Sequence, residues 1–179
     1  MKLPFDSLIE ETTIALEAIF KAGEAILKVY HTNFTSTLKD HQEPLTQADL
    51  QSNEIITDAL KKTKIPLLSE ENKDNGNRLN KKKLWILDPL DGTKEFIARN
   101  DEFSIMLALV EKNIPIMGIV YQPTTGLLYL SQKGKGAFKR NIDQKKSNND
   151  NDKNDDDNWK KLTVSDVTNL SYARAVLSK

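Results

Sequence analysis

Cysteine is absent from all 179 residues. That absence excludes disulfides, thiolate metal sites and a cysteine nucleophile. An excess charge of one sign is absent too, because 26 Lys+Arg balance 26 Asp+Glu. Without a basic excess, a nucleic-acid polymer is not the expected partner, although a local site for a small anion remains compatible. No apolar run approaches the ~18 residues of a membrane span. The opening stretch MKLPFDSLIEE places acids where a signal peptide needs an apolar core. The expectation is a soluble, cytoplasmic protein.

What is present suits one globular domain. Hydrophobic residues make up 38% and charged residues 29% of a chain long enough to bury a real core. Residues 7–31 carry Leu8, Thr12, Ala15, Leu16, Ile19, Gly23, Ile26 and Tyr30 at helical spacing. That stripe reads as core packing rather than a partner-binding face, with Ser7 and Glu10 as a capping box. Pro44 argues against helix before it. Thr46 then suits an N-cap, with Asp49 in the first turn of a second helix, where negative charge is favoured.

Two strand-like runs follow a common plan. IPLLSEEN ends in Glu70 and Glu71, and LWILD ends in Asp88. Residues 102–138 read as three strands joined by EKNIP and QPTTG turns, with a further tight turn at Gly134 and Gly136. Residues 143–158, DQKKSNNDNDKNDDDN, contain no apolar residue and read as a solvated, disordered insertion rather than a metal site. An apolar pattern resumes at Trp159.

The informative stretch is WILDPLDGTKEF, residues 85–96. If its strand neighbours IPLLS, then Glu70, Asp88 and Asp91 converge at one end of a sheet, where a rigid scaffold positions groups around a ligand. Crowded carboxylates repel, and either protonation or a bound cation relieves them. Oxygen donors with no neighbouring His or Cys select Mg²⁺, Mn²⁺ or Ca²⁺ over zinc. Pro89 and Gly92 supply the turn geometry that lets both aspartates and the Leu90 carbonyl face one site. If Thr93 opens a helical turn, the N–H groups of Gly92 and Thr93 can hold an anion. A metal beside an anion pocket is the arrangement that hydrolyses a phosphate ester. The plainer reading, a simple Asp-Pro-Gly turn, also accounts for these residue types. The upstream S-E-E and T-x-A-D favour the metal.

These motifs together resemble the inositol monophosphatase superfamily of magnesium-dependent, lithium-sensitive phosphatases. The matching pieces are PLTQAD with Asp49, LLSEEN with Glu70 and Glu71, and DPLDGT at 88–93. GTKEF, a charged loop and EFS resemble one branch, the CysQ-type 3'(2'),5'-bisphosphate nucleotidases, which convert adenosine 3',5'-bisphosphate to AMP. The resemblance implies two or three Mg²⁺ ions held by Glu70, Asp88, the Leu90 carbonyl and Asp91. It implies that Thr93, hydrogen-bonded to Asp49, orients a water activated by the metals. It also implies that the scissile phosphate lies against Gly92 and Thr93, with Glu70, Leu90 and Asp91 completing the substrate contacts.

Alternatives within the resemblance are an inositol or sugar-phosphate monophosphatase, and an inactive fragment that acts only by binding. The family's W-D-x-x-A-G motif, whose Asp completes the metal site, has no match, since the Trp159 segment NWKK has no Asp after the Trp. The chain is therefore expected to be an N-terminal portion with impaired activity and self-association through exposed sheet surface. The expected fold class is α+β, a layered arrangement of helices on a largely antiparallel sheet that forms the first half of an αβαβα fold. Its expected divisions are an N-terminal metal-binding layer at 1–142, the insertion at 143–158, and the start of a second layer at 159–179.

Overall fold

A computed structural model describes residues 1–38, 44–74, 76, 78–142 and 159–174. The insertion expected at 143–158 lies outside the described residues, as do the last residues, 175–179. Helix α1 (Ile9–Tyr30) is followed by a small hairpin, β1 (Ser36–Leu38) and β2 (Pro44–Thr46), and then by α2 (Gln47–Leu60). Strands β3 (Leu67–Ser69) and β4 (Lys83–Asp91), the short helix α3 (Thr93–Ala98), β5 (Ser104–Glu111), β6 (Ile114–Gln122), β7 (Leu127–Gln132), β8 (Gly136–Asn141) and β9 (Lys160–Leu162) complete the order.

Strands β3 to β9 form one seven-stranded sheet in sequence order. Only β3 and β4 are parallel, with Leu67 opposite Trp85 and Ser69 opposite Leu87. The other neighbours pair antiparallel. The expected three-strand meander therefore has a fourth member, β8, because the Gly134–Gly136 turn returns the chain for six more residues. Residues 160–162, expected to open a second layer, pair with Ala137–Lys139 as the edge strand of this same sheet.

The helices cover one face of the sheet. Thr12, Ala15, Leu16, Ile19, Gly23, Ile26 and Tyr30 are all buried on α1, which is the stripe read from the sequence less Leu8. They meet alternate strand residues, including Trp85, Leu87, Ile105, Leu107, Leu109, Ile119 and Leu128, each at most 2% exposed. Period-two burial of this kind leaves the opposite side chains outward. Ile86 and Met106 are accordingly 40% and 38% exposed on the uncovered face. Trp85 anchors β4 through its ring, and its Nε1–H donates to Thr63 Oγ1 at 3.1 Å.

The capping box expected at Ser7 does not form. Residue 8 takes left-handed φ 54° and no side chain caps α1. The Ser7 hydroxyl instead accepts a hydrogen bond from the Gln132 side-chain amide of β7. The tertiary partner outcompetes the local one because it also serves a buried amide. Helix α2 does start as expected, on a capping box between Thr46 and Asp49.

Candidate active site

The parallel pairing of β3 and β4 sets their C-terminal ends side by side. The Glu70 N–H donates to the Leu87 carbonyl at 3.1 Å, so Glu70 sits one strand away from Asp88. The β4–β5 register then slips. Asp88 lies opposite Met106, yet Asp91 lies opposite Ser104, so three steps on β4 match two on β5. Pro89, which has no N–H to give the ladder, lies inside this bulge. The extra residue reverses the strand's parity: Pro89 and Leu90 are consecutively buried, while Asp88 and Asp91 both stay on the outward side. In an unbroken strand, residues three apart would face opposite ways.

Side chains from α2 fix the bulge from beneath. Ser52 Oγ donates to the Pro89 carbonyl at 2.7 Å. Ser69 Oγ donates to Asn53 Oδ1 at 2.6 Å, and Asn53 Nδ2 donates to Asn72 Oδ1 at 3.1 Å. Both ends of the loop carrying Glu70 and Glu71 are thus tied to one helix. The sequence reading missed Ser52 and Asn53. Their signal was polar residues at i+3 and i+4 from Asp49, on the same side of α2 as buried Ile56.

Asp49 is the centre of this polar layer and only 1% exposed. Its Oδ2 accepts from the Thr46 N–H at 2.8 Å and the Thr46 hydroxyl at 2.6 Å. Its Oδ1 accepts from the Thr93 hydroxyl at 3.0 Å. The same hydroxyl lies 3.2 Å from the Leu90 carbonyl oxygen. With its one proton directed to these acceptors, Thr93 Oγ1 can only accept from a further group, such as a water.

Gly92 makes the turn into α3 at φ 90° and ψ 40°. A Cβ there would come within 2.8 Å of the Glu102 carbonyl oxygen. Both the left-handed backbone and the close approach require glycine. The first α3 hydrogen bond runs from the Phe96 N–H to the Gly92 carbonyl at 2.9 Å. The N–H groups of Gly92 and Thr93 precede it and take no part in the helix ladder.

The acids beside this turn are electrostatically strained. Burial first, then the charges of Glu70 and Asp91, push the Asp88 carboxyl up to about 7, against a weaker opposing bond from the Leu90 N–H. Asp88 also shares a side-chain hydrogen bond with Glu70. Asp91 is raised by burial, then by Glu70 and Glu95. Glu95, not singled out in the sequence, is therefore a fourth acid of the cluster. Among the described residues, no three His or acidic side chains already stand close enough together to hold an ion. The donor set still suits a hard cation. The negative charges of Glu70, Asp88 and Asp91 oppose one another, and one positive charge would relieve all three.

A family model described as the inositol monophosphatase family matches residues 8–176. The chain is 33% identical over 164 residues to the 3'(2'),5'-bisphosphate nucleotidase CysQ of Haemophilus influenzae, covering 89% of this chain and 61% of that relative. Among solved structures, CysQ from Bacteroides thetaiotaomicron, a bacterial member of the inositol monophosphatase family, superposes with a TM-score of 0.66 at 42% identity. That match covers 75% of this chain and 50% of the other. An IMPase/NADP phosphatase complexed with Mg²⁺ and phosphate gives a TM-score of 0.66 at 26% identity, covering 75% of this chain and 52% of the other. The chain thus spans about half to three-fifths of the length of these relatives.

Proposed function

The chain belongs to the inositol monophosphatase family, and from that premise we propose that its site is the catalytic part of a magnesium-dependent phosphomonoesterase. The proposed substrate is adenosine 3',5'-bisphosphate, hydrolysed at its 3'-phosphate to AMP. The observation that carries the reading is the Thr93 hydroxyl, held 3.0 Å from Asp49 beside the crowded Glu70, Asp88 and Asp91 carboxyls. The nucleotide preference is supported by the similarity to CysQ sequences and structures.

In this reading Glu70, Asp88, the Leu90 carbonyl and Asp91 hold Mg²⁺, two or three ions in all. When bound, the metal polarises the phosphoryl group and offsets the charge that builds on its oxygens. The chain's own residues do the rest. Asp49 accepts the Thr93 proton and so leaves Thr93 Oγ1 as an acceptor only. A water that donates a hydrogen to Oγ1 keeps a lone pair free to face the phosphorus. The Gly92 and Thr93 N–H groups receive phosphate oxygens, and Glu70, Leu90 and Asp91 border the same group. No side chain serves as a covalent nucleophile.

Phosphate release from adenosine 3',5'-bisphosphate and from inositol 1-phosphate, each with Mg²⁺, tests this. Turnover of the nucleotide alone supports it. Turnover of inositol 1-phosphate alone replaces it with an inositol phosphatase, and turnover of neither leaves only binding. Self-association through the uncovered sheet face, with Ile86 and Met106 outward, belongs to the same proposal. Sedimentation velocity at rising concentration checks it, and a monomer throughout would contradict it.

A further inference from the structure

Helix α3 has six residues, far too few to be stable on its own. Its first residue is Thr93, so something outside the helix must fix where that hydroxyl and the Gly92 turn lie. Asp49 and Leu90 hold the hydroxyl at this end, and the other end supplies a second anchor. Arg99 follows α3 in the left-handed region at φ 56° and ψ 42°, a conformation unfavourable for a residue with a Cβ. Its guanidinium reaches back to the end of α1. Nη1 donates to the Tyr30 carbonyl and Nη2 to the Thr32 carbonyl. Those carbonyls lie at and just beyond the α1 C-terminus, where backbone acceptors lack helical donors and a cation is favoured.

The same guanidinium lies 5.3 Å from the Tyr30 ring centre and 4.9 Å from that of Phe34. Tyr30 closes the loop from the other side. Its hydroxyl donates to Asp101 Oδ1 at 2.9 Å. Within α3, Phe96 is fully buried, with its ring 5.1 Å from Tyr30 and 4.8 Å from Phe34. The helix is therefore held between a fixed N-terminal turn and one fork-shaped side chain.

We propose that Arg99 is a positioning residue for the Gly92–Thr93 turn, acting by clamping α3 to the C-terminal end of α1. This rests on the phosphatase reading above, because the turn is what holds phosphate and orients water there. A planar fork that makes two bonds and stacks on two rings is a task lysine cannot reproduce. Small misplacements of a catalytic group cost rate steeply, of order 10²-fold for ~1 Å.

The test compares Arg99→Ala, Arg99→Lys and Tyr30→Phe in the full chain. Amide hydrogen exchange at residues 96–98 is read alongside steady-state kinetics with Mg²⁺ and adenosine 3',5'-bisphosphate. Arg99→Ala is expected to speed exchange at 96–98 by about ten-fold or more, while amides of β7 keep their protection. The kcat should fall by about ten-fold or more, with KM moving less. Arg99→Lys should recover only part of both effects. Tyr30→Phe, which keeps the ring and the fold, should give a smaller change in the same direction. Unchanged exchange at 96–98 in Arg99→Ala, or equal loss of protection at 96–98 and in β7, would overturn the clamp. A wild-type chain whose exchange behaves as expected but which releases no phosphate would overturn the functional reading beneath it, leaving the clamp as structure alone.

Discussion

Asp49 and Thr93 are 44 positions apart in sequence, and their side chains meet at 3.0 Å. One opens α2 and the other opens α3, so a single hydrogen bond ties the two helix starts together over the bulge in β4. The capping box that starts α2 and the arrangement that would orient water share the same carboxylate. Thr93→Ala should therefore lower magnesium-dependent kcat by about 10²-fold, within the range for a positioned proton-handling group. Thr93→Ser, which keeps the hydroxyl, should stay within about ten-fold of wild type on the same scale. Single-turnover phosphate release is the measurement, and equal rates for the Ala and Ser variants would deny the hydroxyl its role.

Gly92→Ala should fold poorly around the site. The new Cβ meets the Glu102 carbonyl oxygen at 2.8 Å, and the backbone sits at φ 90°. Strain of this kind costs about 1–3 kcal/mol. Chemical denaturation should show a loss of that order. A variant as stable as wild type would mean the turn relaxes freely.

Asp88 makes the metal-free chain pH-sensitive. Its carboxyl is raised from 3.8 to about 7 by burial and by Glu70 and Asp91. A raised folded value means that the folded chain holds a proton the unfolded chain has released. That stabilising contribution is fully present below pH 3.8 and is lost as pH rises through about 7. Asp91 shifts in the same direction. A cation that favours the ionised forms should offset the loss. Mg²⁺ is thus expected to raise Tm more at pH 8 than at pH 5, measured by thermal denaturation at both. Equal increments would show that these carboxyls do not bind it.

Gly23 tests the helix–sheet contact. A Cβ there would lie 2.6 Å from Tyr121 Cε1. Alanine gains about 1 kcal/mol of helix propensity over glycine. Overpacking costs about 1–3 kcal/mol, and the Tyr121 ring, 6% exposed and edge-on to Phe20, has little room to turn away. The overpacking should win, so Gly23→Ala is expected to lower stability in urea denaturation. A gain in stability would show that the ring moves.

The parts legible in the sequence were those written locally. The α1 stripe, the Thr46–Asp49 start of α2 and the strand–turn–helix of residues 85–96 each follow from neighbours within about a turn or two. The convergence of Glu70 with Asp88 was legible only on the condition that their strands pair, and they do. The Ser52 bond to Pro89, the Asn53 bond to Ser69 and the reach of Arg99 to Tyr30 were not legible. Those partners are 37, 16 and 69 residues apart and carry no spacing rule. Ser7 failed in the opposite sense. Its local capping pattern was present, but a residue 125 positions away took its hydroxyl.

If Glu70, Asp88 and Asp91 form a cation site, the chain binds magnesium directly, and that binding can be measured without any need for turnover. Isothermal titration of Mg²⁺ into the wild-type chain and Asp91→Asn at pH 8 is the measurement. Saturable binding to wild type, weakened by about ten-fold or more in the variant as for loss of a group that supports a metal, is the expected result. Wild-type and variant chains that bind alike, or a wild-type chain that takes up no Mg²⁺, would contradict it.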